Sequence, residues 1–217
     1  MKKTFMGLLL CAIVSGAFGQ SGEIQELTGN VEIKPAGAGA FIAAKSGDQI
    51  AKDTVVSTGF RSTAIIAVGS STIIVRPLTR LTLAEIQSAS NTENLSVNLQ
   101  AGRVRVNVKP PAGTKANITI QSPVATASVR GTSFEFDTEN LDVFEGSVAF
   151  EGASEGPVTM VQSGESSYMG TDGQPVPPAV VSAAVLLPSA PVGTPEVETL
   201  ADSPSGIAGY LPVILNY

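Results

Sequence analysis

A run near the middle of the chain, Thr126-Ala127-Ser128-Val129-Arg130-Gly131-Thr132-Ser133-Phe134-Glu135-Phe136, sets a charged residue beside a glycine turn between two extended, apolar-patterned stretches. A guanidinium in such a place can grip a carboxylate or phosphate through two hydrogen bonds at once. The alternative is structural: Arg130 pairs with Glu135 or Asp137, or braces backbone carbonyls at the turn. β-Branched Val129 and Thr132 on either side of Gly131 predict a packed turn, which favours the structural role. Arg103 and Arg105 form a second set. They share one strand face with Asn107, and Lys109 continues it. That face suits an anionic glycan or peptide, and equally the solvated side of an amphipathic strand, where lysine near an edge opposes aggregation. Asp137, Glu139 and Asp142 cluster across an expected hairpin turn. Oxygen-rich turns bind calcium, but this spacing is not that of an EF-hand loop. A solvated turn is the expectation here, and likewise for Asp48 and Asp53.

What is missing narrows the chemistry further. The 217 residues include no histidine, no tryptophan and a single cysteine, Cys11. Serines are plentiful, but no imidazole exists to activate one, and the commonest metal ligand is absent. Paired carboxylates alone can hydrolyse glycosides, yet sugar-handling clefts generally need aromatic platforms, and aromatic residues make up 5% of the chain. No catalytic residue, metal site or cofactor is therefore expected. The net charge is −6, which argues against nucleic acid and anionic membrane surfaces as primary partners.

Three segments divide the chain. Residues 1–19 read as a secretory signal: Lys2 and Lys3, then an apolar stretch from Phe5 to Val14, then small residues at Ala17 and Gly19 before an expected mature start at Gln20. The apolar stretch is shorter than the roughly 20 residues that cross a bilayer. Cys11 follows Leu8-Leu9-Leu10 rather than the small residue that precedes a lipidated cysteine. Cleavage after Gly19 leaves a cysteine-free product and removes two positive charges, taking −6 to −8. Residues 20–173, rich in Val, Ile, Thr, Ser and Gly, are expected to be the folded domain. Residues 174–217 hold eight of the fourteen prolines and no Lys or Arg, and read as a tail.

Within the domain the periodicity is two. Leu95, Val97 and Leu99 alternate with Ser96, Asn98 and Gln100; Val104, Val106 and Val108 alternate with Arg103, Arg105 and Asn107; Phe134 and Phe136 flank Glu135. Each pattern predicts a strand with one apolar face. Residues 64–68 and 72–75 are continuous apolar runs, which predict strands buried on both faces. No window has helical spacing of useful length. A weak repeat, Gly-x-Val-x-apolar, starts at Gly29, Gly102 and Gly146, each placing a turn before a strand. Short strands with turns about every ten residues predict an all-β fold, a sandwich or roll of antiparallel strands, with a solenoid-like arrangement possible from the repeat.

The order of these elements resembles the periplasmic domain of the FecR family. The matching pieces begin with Gly29-Asn30-Val31, Gly47-Asp48-Gln49-Ile50, Asp53-Thr54-Val55-Val56-Ser57-Thr58-Gly59 and Ser62-Thr63-Ala64-Ile65-Ile66-Ala67-Val68. Next come Pro77-Leu78-Thr79-Arg80-Leu81 and Leu99-Gln100-Ala101-Gly102-Arg103-Val104. The signature stretch runs from Ser122 to Phe134, and Val143-Phe144-Glu145-Gly146-Ser147-Val148 and Val161-Gln162-Ser163-Gly164-Glu165 close the series. As the family is known, a full member joins a cytoplasmic anti-sigma segment, a membrane helix and this domain, and relays receptor occupancy to a sigma factor. The expected signal stands where those first two parts would be, so the resemblance implies the domain without the relay: an exported, non-catalytic, all-β module of bacterial origin. Under that origin the sequons at Asn94 and Asn117 carry little meaning.

The leading expectation is thus a periplasmic binding or scaffolding module for another cell-envelope protein, with outer-membrane-associated or extracellular placement as the alternative. Arg130, Arg103 and Arg105 are its candidate contacts, and Gly131, Thr132, Gly102 and Gly146 its structural turns. Two other readings remain open. One is an assembly subunit that docks through the apolar end, Tyr210-Leu211-Pro212-Val213-Ile214-Leu215-Asn216-Tyr217, which suits addition as a strand to a partner's exposed edge. The other is a soluble sensor of a small anionic ligand.

Overall fold

Alternating apolar and polar residues become strand after strand. The computed structural model describes residues 21–89, 91–154 and 156–186; the expected signal and the apolar segment 210–217 lie outside the described residues. The first strands are β1 (Gly22–Thr28), β2 (Val31–Lys34), β3 (Ile42–Ala43), β4 (Gln49–Ile50), β5 (Val55–Thr58) and β6 (Thr63–Val68). The next are β7 (Ser71–Val75), β8 (Arg80–Ala89), β9 (Thr92–Ala101), β10 (Arg103–Val108), β11 (Lys115–Gln121) and β12 (Ala125–Arg130). The last are β13 (Ser133–Asp137), β14 (Asn140–Glu145), β15 (Ser147–Gly152), β16 (Thr159–Gln162) and β17 (Ser166–Tyr168), followed by a helix, α1 (Pro178–Leu186).

These strands form two sheets, and neither closes into a barrel. The eight-stranded sheet has the order β17-β14-β13-β10-β7-β6-β1-β4, and the nine-stranded sheet β16-β15-β12-β11-β9-β8-β5-β2-β3. From β5 onward, strands join each sheet in chain order. The chain therefore advances along the sandwich while alternating between layers, which is the solenoid-like element of the fold. Neighbours are antiparallel except β9 and β11, which are parallel because β10 crosses to the other sheet between them.

Alternation puts one side of each strand into the space between the sheets. Phe136 of one sheet meets Phe150 of the other edge to face, with ring centroids 6.0 Å apart. Ile66, Ile73, Leu83, Val97, Ile118 and Ile120 are buried in the same core. Burial of each such side chain stabilises by roughly 1.5–3 kcal/mol. The two continuous apolar runs are not buried on both faces as their composition predicts. In β6 and β7 the residues Ala64, Ile66, Val68, Ile73 and Val75 point inward, while Ile65, Ala67 and Ile74 remain partly exposed on the outer side. A two-layer sandwich has no third layer to cover that side. Ile65 and Ile74 instead stand directly opposite one another and shield each other as a cross-strand pair. The structure also adds a helix that the spacing does not predict. Pro178 opens α1 at a position where a missing N–H costs nothing.

The Gly-x-Val repeat marks where the chain changes sheets. Gly29 joins β1 to β2, Gly102 joins β9 to β10, and Gly146 joins β14 to β15; each link crosses from one layer to the other. Gly102 has φ +89° and Gly146 +75°, conformations that cost an L-residue about 1–2 kcal/mol. A buried hydroxyl residue closes each corner. A Cβ on Gly102 would strike Thr79, one on Gly146 would strike the Thr132 side chain, and one on Gly29 would strike Ser62.

Candidate docking site

Strand register gives the sandwich two ends. The first end collects the turns after β1, β5, β7, β9, β11 and β13. The second collects the turns after β6, β8, β10, β12 and β14. Arg103 opens β10 at the first end and Arg130 closes β12 at the second, so the structure does not bring the three candidate arginines together.

Arg130 pairs with neither Glu135 nor Asp137. Gly131 carries the chain from the nine-stranded sheet to the eight-stranded one, so Arg130 and Glu135 project from opposite outer faces, on either side of sheets that pack about 10 Å apart. The exposed guanidinium instead donates from Nε to Asn117 Oδ1 at 3.2 Å. Asn117 in turn donates from Nδ2 to Asn94 Oδ1 at 2.9 Å. The turn itself is open rather than packed: Gly131 is exposed, with φ +65°, and an added Cβ would find only Pro110, at 3.7–3.8 Å. Its glycine serves backbone conformation, not space. Thr132 is buried next to it, and its Oγ1 has no hydrogen-bond partner among the described residues.

Arg103 and Arg105 do share a face, and β13 brings acids opposite them. Arg103 faces Asp137 and Arg105 faces Glu135 in the ladder. Arg103 donates to Asp137 at 3.0 Å and to Glu135 at 3.3 Å, and Arg76 donates to Glu135 at 2.9 Å. Arg105 lies over the Phe144 ring, 4.2 Å from its centroid. The hydrogen bond to Asp137 raises Arg103 further above the ordinary guanidinium range, against an opposing effect of burial. Burial disfavours the Asp137 carboxylate. The backbone N–H groups of Glu139 and Asn140, with Arg103 and the Asn140 amide, outweigh that effect and hold the carboxyl below its usual range. Asp137 thus organises the β13–β14 turn, while Asp142 accepts from Ser166 Oγ at 2.6 Å. Among the described residues no His, Cys, Asp and Glu side chains gather to hold a metal ion.

The first end carries a feature that the sequence reading did not single out. Phe60 is 73% exposed and Leu78 63% exposed, on two tight turns joined by a hydrogen bond from Leu78 N–H to the Gly59 carbonyl at 3.2 Å. Leu78 has φ +57° and Arg61 φ +53°, strained values for residues other than glycine. Arg61 lies 5.2 Å from the Phe60 ring centroid. Buried hydroxyls pin both turns. Thr58 Oγ1 donates to the Arg76 carbonyl at 2.6 Å and accepts from Thr79 N–H at 3.0 Å. Ser62 Oγ accepts from Asn30 N–H at 2.8 Å. Thr79 Oγ1 accepts from Arg103 N–H at 2.9 Å and donates to the Arg103 carbonyl at 3.1 Å. Beside Leu78 lies an open hollow of about 410 Å³ whose wall includes Arg103, Asp137 and Asn140. The available signal was an aromatic residue directly after the turn residues Thr58-Gly59, where no strand face can bury it.

Among the described residues no helix is long and apolar enough to cross a membrane. No curated protein matches the chain. Two crystal structures of a "putative anti-sigma factor" from Parabacteroides distasonis ATCC 8503 are similar at 15% identity and a TM-score of 0.45. The matches cover 60% of this chain and 64% and 63% of those chains, so the chain spans less than two thirds of their length. Residues 54–149 match the FecR protein family, from the start of β5 into β15. That stretch, which holds the corner at Gly102, the Arg103–Asp137 pair and both exposed turns, is homologous to the FecR domain.

Proposed function

We propose that the protein is an exported, non-catalytic binding module of the periplasm that recognises another cell-envelope protein through the first end of its sandwich. The observation that carries this reading is the Phe60–Leu78 pair. A phenylalanine and a leucine stand in solvent on strained, hydroxyl-braced turns that a hydrogen bond joins, and neither contributes to the core. Scattered exposed apolar residues need no explanation, but left-handed backbone at exposed positions does. Aromatic and arginine residues are the ones that most often dominate protein interfaces, and Phe60, Arg61 and Arg103 supply them here. Bracing before contact limits the ordering cost of association.

Site-specific photo-cross-linking in intact cells tests this. A cross-linker at position 60 or 78 is expected to join one and the same envelope protein, and a cross-linker at exposed Ile42 is not. Equal adducts from all three positions would refute the assignment. A chain ending at Leu186 should keep the adduct. Its loss would favour assembly through the C-terminal segment instead. Truncation belongs there rather than at Gly173, because Gly170 donates to Gln174 and Val176 donates to Tyr168 at 2.8 Å each.

A further inference from the structure

At the second end the two sheets leave a mouth between the β6–β7 turn and the β8–β9 hairpin. It encloses about 200 Å³. Val68, Ile86, Leu95 and Ile118 supply its apolar surface, and Ser71, Gln87, Ser88 and Asn94 are among the polar residues that line the rest. One carboxylate, Glu93, stands at its edge. Glu93 Oε2 accepts from Ser70 N–H at 2.9 Å and from Ser70 Oγ at 2.5 Å. The carboxylate lies flat against Gly69, where an added Cβ would come within 2.8 Å of it. Of the two Glu93 oxygens, only Oε2 takes part in holding the turn, whose Ser70 carbonyl also accepts from Lys109 N–H at 3.2 Å. The other, Oε1, receives no hydrogen bond among the described residues, and no described cation pairs with Glu93.

We propose that this mouth is a binding site for a short alkylammonium group, with the ammonium on Glu93 Oε1 and the carbon chain against Ile86, Leu95 and Ile118. Size supports the class. A dry cavity of about 150 Å³ admits benzene, so by volume this one takes roughly seven or eight heavy atoms. Charge supports it too, since an anionic head would meet the Glu93 carboxylate. The group can belong to a free amine or to a lysine side chain of a partner, and the two are separable. The site is independent of the docking surface at the opposite end.

The test follows the methyl signals of Ile86 and Ile118 by NMR in the full chain during titration with n-alkylammonium ions from ethyl to octyl. Affinity is expected to rise about fourfold per methylene, to peak near hexyl, and to fall beyond it. Pentanoate is expected to leave the methyls unmoved. Glu93→Gln keeps an acceptor for Ser70 and should weaken butylammonium by about tenfold. Ile86→Phe fills the mouth and should abolish binding. Tighter binding of a capped Ala-Lys-Ala peptide than of butylammonium assigns the site to a partner's lysine, and the reverse order to a free amine. Unmoved methyls, equal response to pentanoate, or undiminished binding by a folded Glu93→Gln variant would each overturn the proposal.

Discussion

Gly102→Ala should destabilise the domain far more than Gly131→Ala, although both glycines sit at positive φ on sheet-changing turns. At +89° the alanine at 102 incurs about 1–2 kcal/mol of left-handed strain. Its Cβ would also lie 2.5 Å from Thr79 Cα and 2.7 Å from the Leu78 carbonyl oxygen, both backbone atoms that cannot rotate away. Relief requires the Thr79 segment to shift, which breaks the two hydrogen bonds between Thr79 Oγ1 and Arg103, each worth about 1 kcal/mol. The sum is about 3–4 kcal/mol. At 131 the nearest atoms are 3.7 Å away, so only the strain of about 1–2 kcal/mol applies. With about 2–4 °C per kcal/mol for a domain of this size, thermal melting should fall by about 10 °C for Gly102→Ala and about 4 °C for Gly131→Ala. Equal shifts would refute the claim that the corner is specified by space as well as by φ.

Hydroxyl deletion at the same corners should have opposite signs. Thr79→Val orphans the Arg103 N–H and should cost about 1–3 kcal/mol, whereas Thr132→Val removes an unpartnered buried hydroxyl and should leave stability unchanged or raise it by about 1 kcal/mol in denaturant titration. Asp137 has its folded carboxyl held below the unfolded value of about 3.9. Its stabilisation is therefore present above that pH and lost as pH falls through the folded value, so melting temperatures of the native chain and Asp137→Asn should converge as the pH is taken down below the unfolded value; parallel acid limbs would contradict this. Arg130→Ala removes one exposed hydrogen bond and should change the melting temperature by no more than about 4 °C. A larger drop would show that Arg130 braces the fold.

Much of the architecture was legible because alternation is a local signal. The inward sets Leu95-Val97-Leu99, Val104-Val106-Val108 and Phe134-Phe136 can be read from spacing alone, and the structure buries all of them. Which sheet a strand joins is not a local property. The Gly-x-Val repeat was visible, but not that each copy crosses between layers; nor was the separate crossing at Gly131, which is why Arg130 cannot reach Glu135. Ile65 and Ile74 misled for a related reason: composition signals burial, while the exposure of their side depends on how many layers the fold has. Of the site, the face shared by Arg103 and Arg105 was readable, but its neutralisation was not, because Glu135 and Asp137 become neighbours only through the β10–β13 register. Phe60 and Leu78 sit in turns, where periodicity is silent, and their strain is visible only in backbone angles.

A double variant tests the docking claim most directly. Phe60→Ala with Leu78→Asn removes both apolar groups, and asparagine tolerates the left-handed conformation at 78 better than leucine. The account predicts that the variant melts at or slightly above the native temperature and binds the envelope protein cross-linked from position 60 at least about tenfold more weakly, since loss of an interface hot spot costs about 2 kcal/mol or more. Undiminished affinity in the folded variant would contradict recognition through the first end of the sandwich.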